Sequence, residues 1–365
     1  MKYCVLGAGL MGKAIAYDLL QQKDTTRVLL ADNNAEELKK AKEFLCKDGK
    51  AIPLETKIFD ANNLSEIENL FSNVNAAIAA VHYGFNLTFT KIAIKTKTHL
   101  CDLGGNNSIV DKQLKLSKEA EAAGISIIPD CGLAPGMVAV LVKWGLENFN
   151  WADTVKIRVG GLPQNPKGEL KYERLFSVEG LINEYIEPVR VLRNGKIEII
   201  ESLTEIEGIR FPNYEKLEAF TTSGGTSTLI ETYKNRLKNL DYKTIRYSGH
   251  CNALKELQKS GLFKKEYFEK HLPLCTNDVT LVKIMFDGSK DGVTMSQREL
   301  TIIDKAKPPF TSMMRMTAFP AAIISQMQAK EQIKKTGVHP QEMCVKSDLF
   351  IKELAKRAIK ISGIS

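Results

Sequence analysis

Three glycines near the N-terminus, Gly7, Gly9 and Gly12, are followed 20 residues later by Asp32. In such a pattern the first glycine allows a sharp turn out of a strand, the second leaves room for a pyrophosphate, and the third lets a helix pack closely. Free N–H groups at the helix start bind the anion. The acidic residue accepts hydrogen bonds from ribose hydroxyls and repels a 2′-phosphate. The spacing predicts a dinucleotide site for NAD rather than NADP, with a purely structural turn as the alternative.

Five further residues are predicted to contact the dinucleotide: Leu10, Met11, Asp60, Ala80 and Val81. The first two lie inside the glycine turn, and the two at positions 80 and 81 end an apolar strand, at the edge where ligands collect in open α/β sheets. The aspartate ends a predicted strand and is expected beside the adenine, unless it caps a turn or helix instead.

A parallel sheet must position these residues, and the first third of the chain has its pattern. Short strand-like runs alternate with helical runs, and the strands are predicted at residues 2–6, 28–32, 58–60, 76–81, 99–103 and 126–129. This alternation predicts a doubly wound parallel sheet with right-handed connections. We therefore expect an α/β fold with an N-terminal Rossmann domain over residues 1–130, including one helix over residues 112–123.

The pattern changes after residue 130. Strand runs joined by turn signals such as Asn194-Gly195 predict a second α+β domain with a mixed or antiparallel sheet. This domain, over residues 131–319, is expected to bind substrate and to support a homo-oligomer. A helical pattern returns with Pro320 near the start of a helix over residues 319–329. The helices of residues 320–365 are expected to pack back on the first domain.

The composition excludes several classes of protein. The chain has 365 residues, 44% hydrophobic and 26% charged, which suits two globular domains. No stretch approaches the roughly 18 apolar residues of a membrane span, and the net charge of +8 is spread evenly instead of forming a nucleic-acid-binding stripe. The seven cysteines show no CxxC motif or metal-ligand spacing. We expect a cytoplasmic protein with a small-molecule substrate and without a metal site, nucleic-acid partner or membrane contact.

Four polar residues follow the predicted strands at the edge where substrates bind. His82 and Tyr83 come after the fourth strand, beside the expected nicotinamide, Asp102 ends the fifth, and Asp130 follows the sixth. Asp130 and His82 are candidates for general acid–base work, and the other two for substrate contact. Other interpretations stay open: a cap for Asp130, a hydrogen bond near the cofactor for His82, and a sheet-edge aromatic for Tyr83.

The order of motifs along nearly the whole chain resembles the saccharopine dehydrogenase-like family, and within it the lysine 6-dehydrogenase branch. The resemblance rests on His82-Tyr83 followed by residues 93–98, and on the segments 124–136, 160–163 and 244–250. It implies oxidation of the C–N bond of a lysine-derived amine with a nicotinamide nucleotide.

One position departs from the saccharopine reductases of that family. They carry an arginine before the glycine in the segment matching residues 172–180, where it binds a carboxylate of the glutamate moiety; this chain has Glu179. A carboxylate there repels another carboxylate and attracts an ammonium group or positions a water. Glu179 therefore favours an amine without a glutamyl arm and is itself a catalytic candidate, with a solvated helix face as the alternative.

The remaining candidates concern the substrate's other groups. An α-carboxylate needs a cation such as Arg174 or Arg246, although structural ion pairs are the commoner use of arginine. The small polar residues of positions 221–227 could form an anion-binding nest or a plain turn. The residues predicted to bind substrate are Tyr83, Asp102, Gly161, Leu162, Arg174, Thr222, Ser223 and Arg246.

The sequence thus predicts NAD-dependent oxidative deamination of the 6-amino group of L-lysine, giving 2-aminoadipate 6-semialdehyde and ammonia. Hydride can leave carbon 6 only once the amine is neutral, so a base is needed, and Asp130, His82 and Glu179 are the candidates. The alternatives are a saccharopine or other carboxyalkyl-amine dehydrogenase and, in a different class, a non-catalytic NAD-binding regulator.

Overall fold

The computed structural model describes residues 1–46 and 53–364. The described residues form two compact units. Unit 1 lies within Met1–Val140 and Met314–Arg357, and unit 2 lies within Leu141–Met313 and Ala358–Ser365. The C-terminal helical region, from residue 314 to 357, thus belongs to unit 1, and the last residues of the chain to unit 2.

The described residues contain sixteen strands. They are β1 (Lys2–Leu6), β2 (Arg27–Asp32), β3 (Leu54–Ile58), β4 (Ala76–Ala79), β5 (His99–Asp102), β6 (Ser126–Ile128), β7 (Ala152–Pro163), β8 (Val189–Arg193), β9 (Lys196–Ile200), β10 (Glu207–Phe211), β11 (Tyr214–Thr221), β12 (Asn239–Tyr247), β13 (Asp278–Lys290), β14 (Val293–Thr294), β15 (Arg298–Lys305) and β16 (Gly337–Val338).

The same residues contain fourteen α-helices and a 3₁₀ turn at Tyr83–Phe85. The helices are α1 (Leu10–Leu20), α2 (Ala35–Leu45), α3 (Leu64–Phe71), α4 (Asn86–Thr96), α5 (Asn107–Leu114), α6 (Ser117–Ala122), α7 (Met137–Asn148), α8 (Val178–Ile186), α9 (Leu229–Tyr233), α10 (His250–Lys259), α11 (Lys265–His271), α12 (Ser312–Ala329), α13 (Gln341–Cys344) and α14 (Ser347–Lys356).

Unit 1 is built on a seven-stranded sheet in the order β3-β2-β1-β4-β5-β6-β16, and every pair in it is parallel. The strand order reverses between β1 and β4, which is the switch point where dinucleotides bind in this topology. The strands are apolar because both faces are covered, and β4 has no exposed residue. The predicted Rossmann fold is confirmed.

Three predicted elements of unit 1 differ from the structure. The strand predicted at residues 58–60 runs from Leu54 to Ile58 instead, because its exposed polar residues hide it from a hydrophobic pattern. The single helix predicted at residues 112–123 is two helices, α5 and α6, which Lys115 and Leu116 separate.

The third difference concerns Pro320, which was expected near a helix start. It lies inside the 18-residue helix α12. Proline lacks the N–H that would bond the carbonyl four residues earlier, at a cost of about 3 kcal/mol. Phe319 and Ile324, which lie on either side of the proline in the sequence, are both buried, and tertiary burial of a helix offsets such a cost.

Unit 2 contains a nine-stranded mixed sheet. Its central strand β7 pairs in parallel with β12 and antiparallel with β13, whose other edge pairs with β15. Strands β10 and β11 extend the sheet beyond β12, and the β8–β9 hairpin joins at Leu240. The mixed sheet of the predicted second α+β domain is confirmed.

The described residues contain neither a candidate membrane-spanning helix nor a candidate metal site. None of their helices is both long and apolar enough to cross a membrane. No group of three or more His, Cys, Asp or Glu side chains among them could hold a metal ion.

Candidate functional site

The glycine turn between β1 and α1 has three different environments. Gly7 has φ +100, and a Cβ there would lie 2.6 Å from the Ala80 carbonyl oxygen. A Cβ on Gly12 would lie 1.7 Å from the Gly7 carbonyl oxygen. By contrast, a Cβ on Gly9 would meet nothing within 4 Å. The first and third glycines therefore serve the turn itself, and the space over the second is open.

That space adjoins the start of α1, where Gly9 is the N-cap residue and provides no capping side chain. The first turn of α1 holds Leu10 and Met11, both half-buried, and no acidic residue. The N–H groups of a first helical turn have no partner within the helix, and they carry the positive end of its dipole. The turn therefore fits a pyrophosphate.

Asp32, the last residue of β2, ties the glycine turn to the second strand. Its Oδ2 accepts the Ala8 N–H at 2.6 Å, and its Oδ1 accepts the Asn34 N–H at 2.9 Å. The side chain stays half-buried. Since each carboxylate oxygen has a second lone pair, Asp32 can hold the turn and still accept hydrogen bonds from ribose hydroxyls.

The other predicted cofactor residues lie in two places. Ala80 and Val81 follow β4 directly and touch Gly7, so they line the switch point. Asp60 lies two residues beyond the end of β3, and its Oδ1 accepts the Asn62 N–H at 2.9 Å. This bond makes Asp60 a turn residue, which was the alternative. Its contact with adenine stays a prediction.

His82 and Tyr83 follow at the same edge of the sheet. His82 is exposed and precedes the 3₁₀ turn, where its Nδ1 accepts the Gly84 N–H at 3.2 Å. Its ring centroid lies 4.2 Å from that of Tyr83. The Tyr83 ring covers Gly105, where a Cβ would lie 2.7 Å from Cδ1. A neutral His82 that accepts through Nδ1 carries its proton on Nε2.

Asp130 lies in the loop after β6 with a backbone φ of +61. Its carboxylate rests against Gly104, where a Cβ would come within 1.8 Å of Oδ1. Any residue other than glycine at position 104 would collide with the Asp130 carboxylate. Left-handed backbone in a residue with a side chain is strained unless its surroundings fix it, and such positions concentrate at functional sites. The predicted catalytic aspartate therefore occupies a fixed conformation.

Asp102, the last residue of β5, is fully buried and bonded on both oxygens. Oδ1 accepts the N–H groups of Gly104, at 2.8 Å, and Asp130, at 3.1 Å, while Oδ2 accepts Nε2 of Gln113 at 2.8 Å. Burial raises the pKa of the Asp102 carboxyl, and these three bonds oppose the rise. Substrate contact by Asp102 stays a prediction, and its burial argues against it.

These contacts join one edge of the unit 1 sheet into a single region. Gly7 touches Ala80, Tyr83 covers Gly105, and the neighbouring Gly104 supports Asp130. An open anion site, an imidazole and a carboxylate therefore lie along the carboxyl ends of adjacent strands. Such a set can hold a dinucleotide and accept a proton.

In unit 2, Arg246 of β12 is the centre of a buried polar cluster. Its Nε donates to the Tyr185 hydroxyl at 2.9 Å, and its guanidinium carbon lies 4.7 Å from the centre of the Tyr172 ring. Glu184 Oε2 lies 3.5 Å from Nη2. His250 Nε2 lies 3.2 Å from the Tyr185 hydroxyl. We call these five residues the arginine cluster.

Burial controls the ionisation of the arginine cluster. It raises the pKa of Glu184 to about 7, although the Arg246 charge opposes the rise. Burial and then the Arg246 charge lower the pKa of His250 to about 3, against the effect of its bond to the Leu170 carbonyl. At neutral pH the cluster therefore holds a charged arginine beside a neutral histidine.

The other substrate candidates of unit 2 have internal contacts. Thr222 Oγ1 lies 2.7 Å from Thr244 Oγ1, and Ser223 Oγ donates to the Asn183 carbonyl at 3.1 Å. Arg174 Nε donates to the Leu272 carbonyl at 2.9 Å.

Gly161 and Leu162 lie on β7, where they pack inside unit 2. A Cβ on Gly161 would lie 2.5 Å from Leu175 Cδ1, and Leu162 is buried in the hydrophobic core. These contacts explain the residue types without a ligand. For these two and for the candidates Thr222, Ser223 and Arg174, substrate binding stays a prediction.

Glu179 lies in the first turn of α8, next to the capping residue Ser177. Its side chain is 51% exposed, and its Oε1 lies 3.1 Å from Nζ of Lys265. A negative residue in a first helical turn favours the helix dipole. The structure therefore gives Glu179 a place on the surface of unit 2, and its catalytic role stays a prediction.

Comparison with known protein families identifies both parts of the chain. Residues 3–128 match the saccharopine dehydrogenase NADP binding domain, and residues 132–359 match the saccharopine dehydrogenase C-terminal domain. The chain belongs to the saccharopine dehydrogenase family. The family predicted from the motifs is confirmed, and the closer resemblance to the lysine 6-dehydrogenase branch stays a prediction.

Relatives of this saccharopine dehydrogenase family member include larger proteins. The mitochondrial alpha-aminoadipic semialdehyde synthase of Bos taurus is 25% identical over 307 residues, which are 78% of this chain and 31% of the relative. The saccharopine dehydrogenase (NADP(+), L-glutamate-forming) of Saccharomyces cerevisiae is 25% identical over 294 residues, 75% of this chain and 61% of the relative. The chain thus spans less than two thirds of either protein.

Two solved structures share the fold. Apo saccharopine dehydrogenase (L-Glu forming) from Saccharomyces cerevisiae superposes with a TM-score of 0.79 at 17% identity, covering 100% of both chains. The homospermidine synthase of Legionella pneumophila in complex with NAD has a TM-score of 0.72 at 12% identity, covering 99% of this chain and 90% of the other.

Sequence reasoning missed three polar residues of this family member, of which Gln113 and Tyr185 are buried and Glu184 is half-buried. Gln113 supports Asp102, and Tyr185 and Glu184 contact Arg246. Gln113 had one available signal, since it is a polar residue on the apolar side of a predicted helix. The other two follow Glu179 in α8, and nothing in their spacing pointed to an arginine 61 residues away.

Proposed function

We propose that this chain is an oxidoreductase that uses a nicotinamide cofactor to oxidise the C–N bond of a lysine-derived amine. The observation that carries the proposal is the shared sheet edge of unit 1, where the open glycine turn adjoins His82, Tyr83 and Asp130 in a chain of the saccharopine dehydrogenase family. A non-catalytic regulator that binds NAD would not need the fixed carboxylate of Asp130.

The substrate that we propose is L-lysine, oxidised at its 6-amino group. The support is Glu179, whose carboxylate stands where saccharopine reductases carry an arginine for the glutamate moiety. Because the Glu179 side chain is exposed, it can contact a substrate ammonium group, although it already pairs with Lys265. A carboxylate-bearing substituent on the amine would be repelled at this position.

The chain's own residues supply the proton chemistry. Asp130 accepts a proton from the substrate ammonium, since hydride can leave carbon 6 only from the neutral amine. A nicotinamide dinucleotide held at the glycine turn and Asp32 would supply the hydride acceptor. His82, which is exposed at this edge, assists the water that adds to the resulting iminium carbon. Lysine, NAD⁺ and water thus give the aldehyde, an ammonium ion, NADH and one proton.

We infer that NAD is the preferred cofactor. Asp32 presents a negative charge at the end of β2, where a 2′-phosphate would lie, and the residues after it are Asn33 and Asn34. The matched family domain carries NADP in its name. The comparison of NAD and NADP reduction by the purified chain decides between them, and a preference for NADP contradicts the proposal.

One spectrophotometric experiment tests the function. The purified chain is given NAD or NADP with lysine, saccharopine, ornithine or a diamine, and absorbance at the NADH band is followed. NADH formation with lysine alone is the expected result. If saccharopine is oxidised and lysine is not, the lysine proposal fails while the family activity stands.

A saccharopine-type amine is the second candidate, because the yeast relative has that activity in its name. The variants Glu179→Arg and Glu179→Gln separate the two. For a lysine enzyme, Glu179→Arg lowers kcat/KM more than Glu179→Gln does, because it adds repulsion to the lost attraction. For a saccharopine enzyme, Glu179→Arg raises kcat/KM for saccharopine.

We further propose a cytoplasmic homo-oligomer. All seven cysteines are free thiols, which suits a reducing compartment, and enzymes with a large mixed sheet in a second domain commonly associate through symmetric contacts. Light scattering on the purified chain tests the assembly, and a monomer at micromolar concentration contradicts it.

A further inference from the structure

The loop that carries Asp130 is attached to β5 by two bonds from one residue. Asp102 Oδ1 accepts the Asp130 N–H at 3.1 Å, and the Asp102 carbonyl accepts the Cys131 N–H at 2.6 Å. The same Oδ1 accepts the Gly104 N–H at 2.8 Å. Asp102 therefore fixes both the backbone of Asp130 and the glycine against which the Asp130 carboxylate rests.

A second layer holds Asp102 itself. Gln113 of α5 is fully buried, and its Nε2 donates one hydrogen to Asp102 Oδ2 at 2.8 Å and the other to Thr90 Oγ1 at 3.0 Å. Thr90 in turn donates to the Asn86 carbonyl at 2.9 Å. Helices α4 and α5 thus orient a buried carboxylate that has no exposed surface of its own.

The conformation of Asp130 requires such support. A residue with a side chain at φ +61 lies in a region that costs roughly 1 kcal/mol or more. It keeps that conformation because its N–H has a partner in a fixed place. The three acceptor bonds of the Asp102 carboxylate go to the loop after β5, to the loop after β6 and to the Gln113 amide. A buried carboxylate bonded in this way is a positioning group, and the carboxyl that it positions lies at the cofactor edge.

We propose that Asp102 and Gln113 are positioning residues for the Asp130 carboxylate, which they hold through the loop backbone, so that Asp130 meets the substrate amine in a fixed orientation. This inference rests on the proposed function for its kinetic consequence. Its structural part stands on the contacts alone. Gln113 reaches Asp130 only through Asp102, and neither residue touches a substrate.

The test uses hydrogen–deuterium exchange and steady-state kinetics on the full chain. Asp102→Ala and Gln113→Leu should raise deuterium uptake in the segment 129–136. Both should lower kcat about 10- to 100-fold, because small misplacements of a catalytic group have effects of that size. The Kd for NAD should change less than threefold, since the glycine turn is untouched. Where Asp102→Ala fails to fold, Gln113→Leu carries the test.

A matched control exists in the same unit. Gln328 of α12 is also fully buried, and its Nε2 donates to the Leu100 and Ser126 carbonyls, at 3.0 and 2.9 Å. The same Nε2 also lies 3.1 Å from Ser126 Oγ, so Gln328→Leu loses at least as many bonds as Gln113→Leu. It should lower Tm similarly, yet leave kcat within about twofold and uptake in 129–136 unchanged.

A rescue variant sharpens the test. In Asp102→Asn the new amide faces the amide of Gln113, and two donors oppose each other. The double variant Asp102→Asn with Gln113→Glu restores a donor–acceptor pair and should recover kcat to within about fivefold of the wild type. The kinetic arm uses whichever amine the wild type oxidises.

The outcomes separate the two proposals. A wild type that oxidises no amine contradicts the proposed function, and exchange in the segment 129–136 then decides the positioning alone. Unchanged exchange in Asp102→Ala and Gln113→Leu overturns the positioning role. Losses of kcat no greater than in Gln328→Leu overturn it as well.

Discussion

At the unit 1 sheet edge, open and exposed positions lie beside two buried aspartates, Asp102 and Asp130, whereas the arginine cluster and Thr222 of unit 2 lie inside the unit. At the edge of the unit 1 sheet, Gly9 adjoins open space, and His82 is exposed. In unit 2, Arg246 and Thr222 are buried, and each has a partner inside the unit. Candidate site residues were predicted from the sequence in both units.

The difference has a physical cause. At the carboxyl edge of a parallel sheet, the chain leaves neighbouring strands in opposite directions at the switch point and leaves a crevice between them. Polar side chains within a mixed sheet have no such crevice, so they must bond to each other to be buried at all. Substitutions in the arginine cluster should therefore act on stability, and substitutions at the unit 1 edge on ligand binding.

The largest expected effect is that of Arg246→Met. It leaves Glu184 and the Tyr185 hydroxyl buried without their cation, and unit 2 should lose about 3 to 4 kcal/mol of stability. Urea unfolding measures it. Arg174→Met is the control, because Arg174 is half-buried and has one carbonyl partner. If Arg246→Met has normal stability and a raised KM for substrate, Arg246 serves substrate binding and not the stability of unit 2.

The acid sensitivity of unit 2 should depend on His250. Its pKa is about 3 when folded and about 6.5 when unfolded, so below pH 6.5 the unfolded chain binds a proton that the folded chain does not. The contribution of His250 is complete above pH 6.5 and should fall by about 3 kcal/mol by pH 4. Glu184, whose pKa burial raises to about 7, binds its proton in the folded chain before the unfolded chain does and opposes this loss, so the difference between the wild type and His250→Gln measures the histidine's part. In His250→Gln this part of the pH dependence disappears.

Urea unfolding of the wild type and His250→Gln at pH 7 and pH 4 measures the difference. His271, an exposed histidine of the same unit, provides the control variant His271→Gln. If the free energy of unfolding falls equally between pH 7 and pH 4 in the wild type and in His250→Gln, the buried histidine does not cause the loss.

Gly9→Ala should weaken NAD binding and leave folding intact. The new methyl meets no protein atom within 4 Å, but it occupies the space proposed for the pyrophosphate. The Kd for NAD should rise about 30-fold, equivalent to about 2 kcal/mol. Gly12→Ala is the contrast, because its Cβ would lie 1.7 Å from the Gly7 carbonyl oxygen and Tm should fall. A Gly9→Ala protein with unchanged affinity would place the dinucleotide elsewhere.

The smallest expected effect is that of Glu179→Gln on stability. Glu179 and Lys265 are both about half exposed, and pairs of that kind contribute little to folding. Tm should not change measurably, whereas KM for the amine should rise a few-fold. A Tm loss like that of Arg246→Met would make Glu179 a structural residue of unit 2.

The sequence predicted the glycine turn and the parallel strands around it well because each signal there is local. The positions of Gly7, Gly9 and Gly12 reflect steric needs within one turn, and Asp32 follows at a distance set by one βαβ unit. The same holds for the fully apolar β4, which marks the centre of a parallel sheet.

Elements with conflicting local signals were predicted less well. Strand β3 carries exposed polar residues, and α12 contains Pro320 in its interior. In both cases neighbouring elements stabilise a segment whose own sequence pattern does not favour its structure. Strand β2 pairs with β3, and burial around the proline supports α12.

Residue types and their spacing were enough to predict the glycine turn, the parallel and mixed sheets, and the family to which the chain belongs. The folded structure was needed to show which polar residues bond within the protein. It assigned Asp102 to the support of Asp130 and Arg246 to a buried cluster. The physical reason is that burial and hydrogen-bond partners depend on residues far apart in the chain, such as Asp102 and Asp130, which residue types and spacing do not encode.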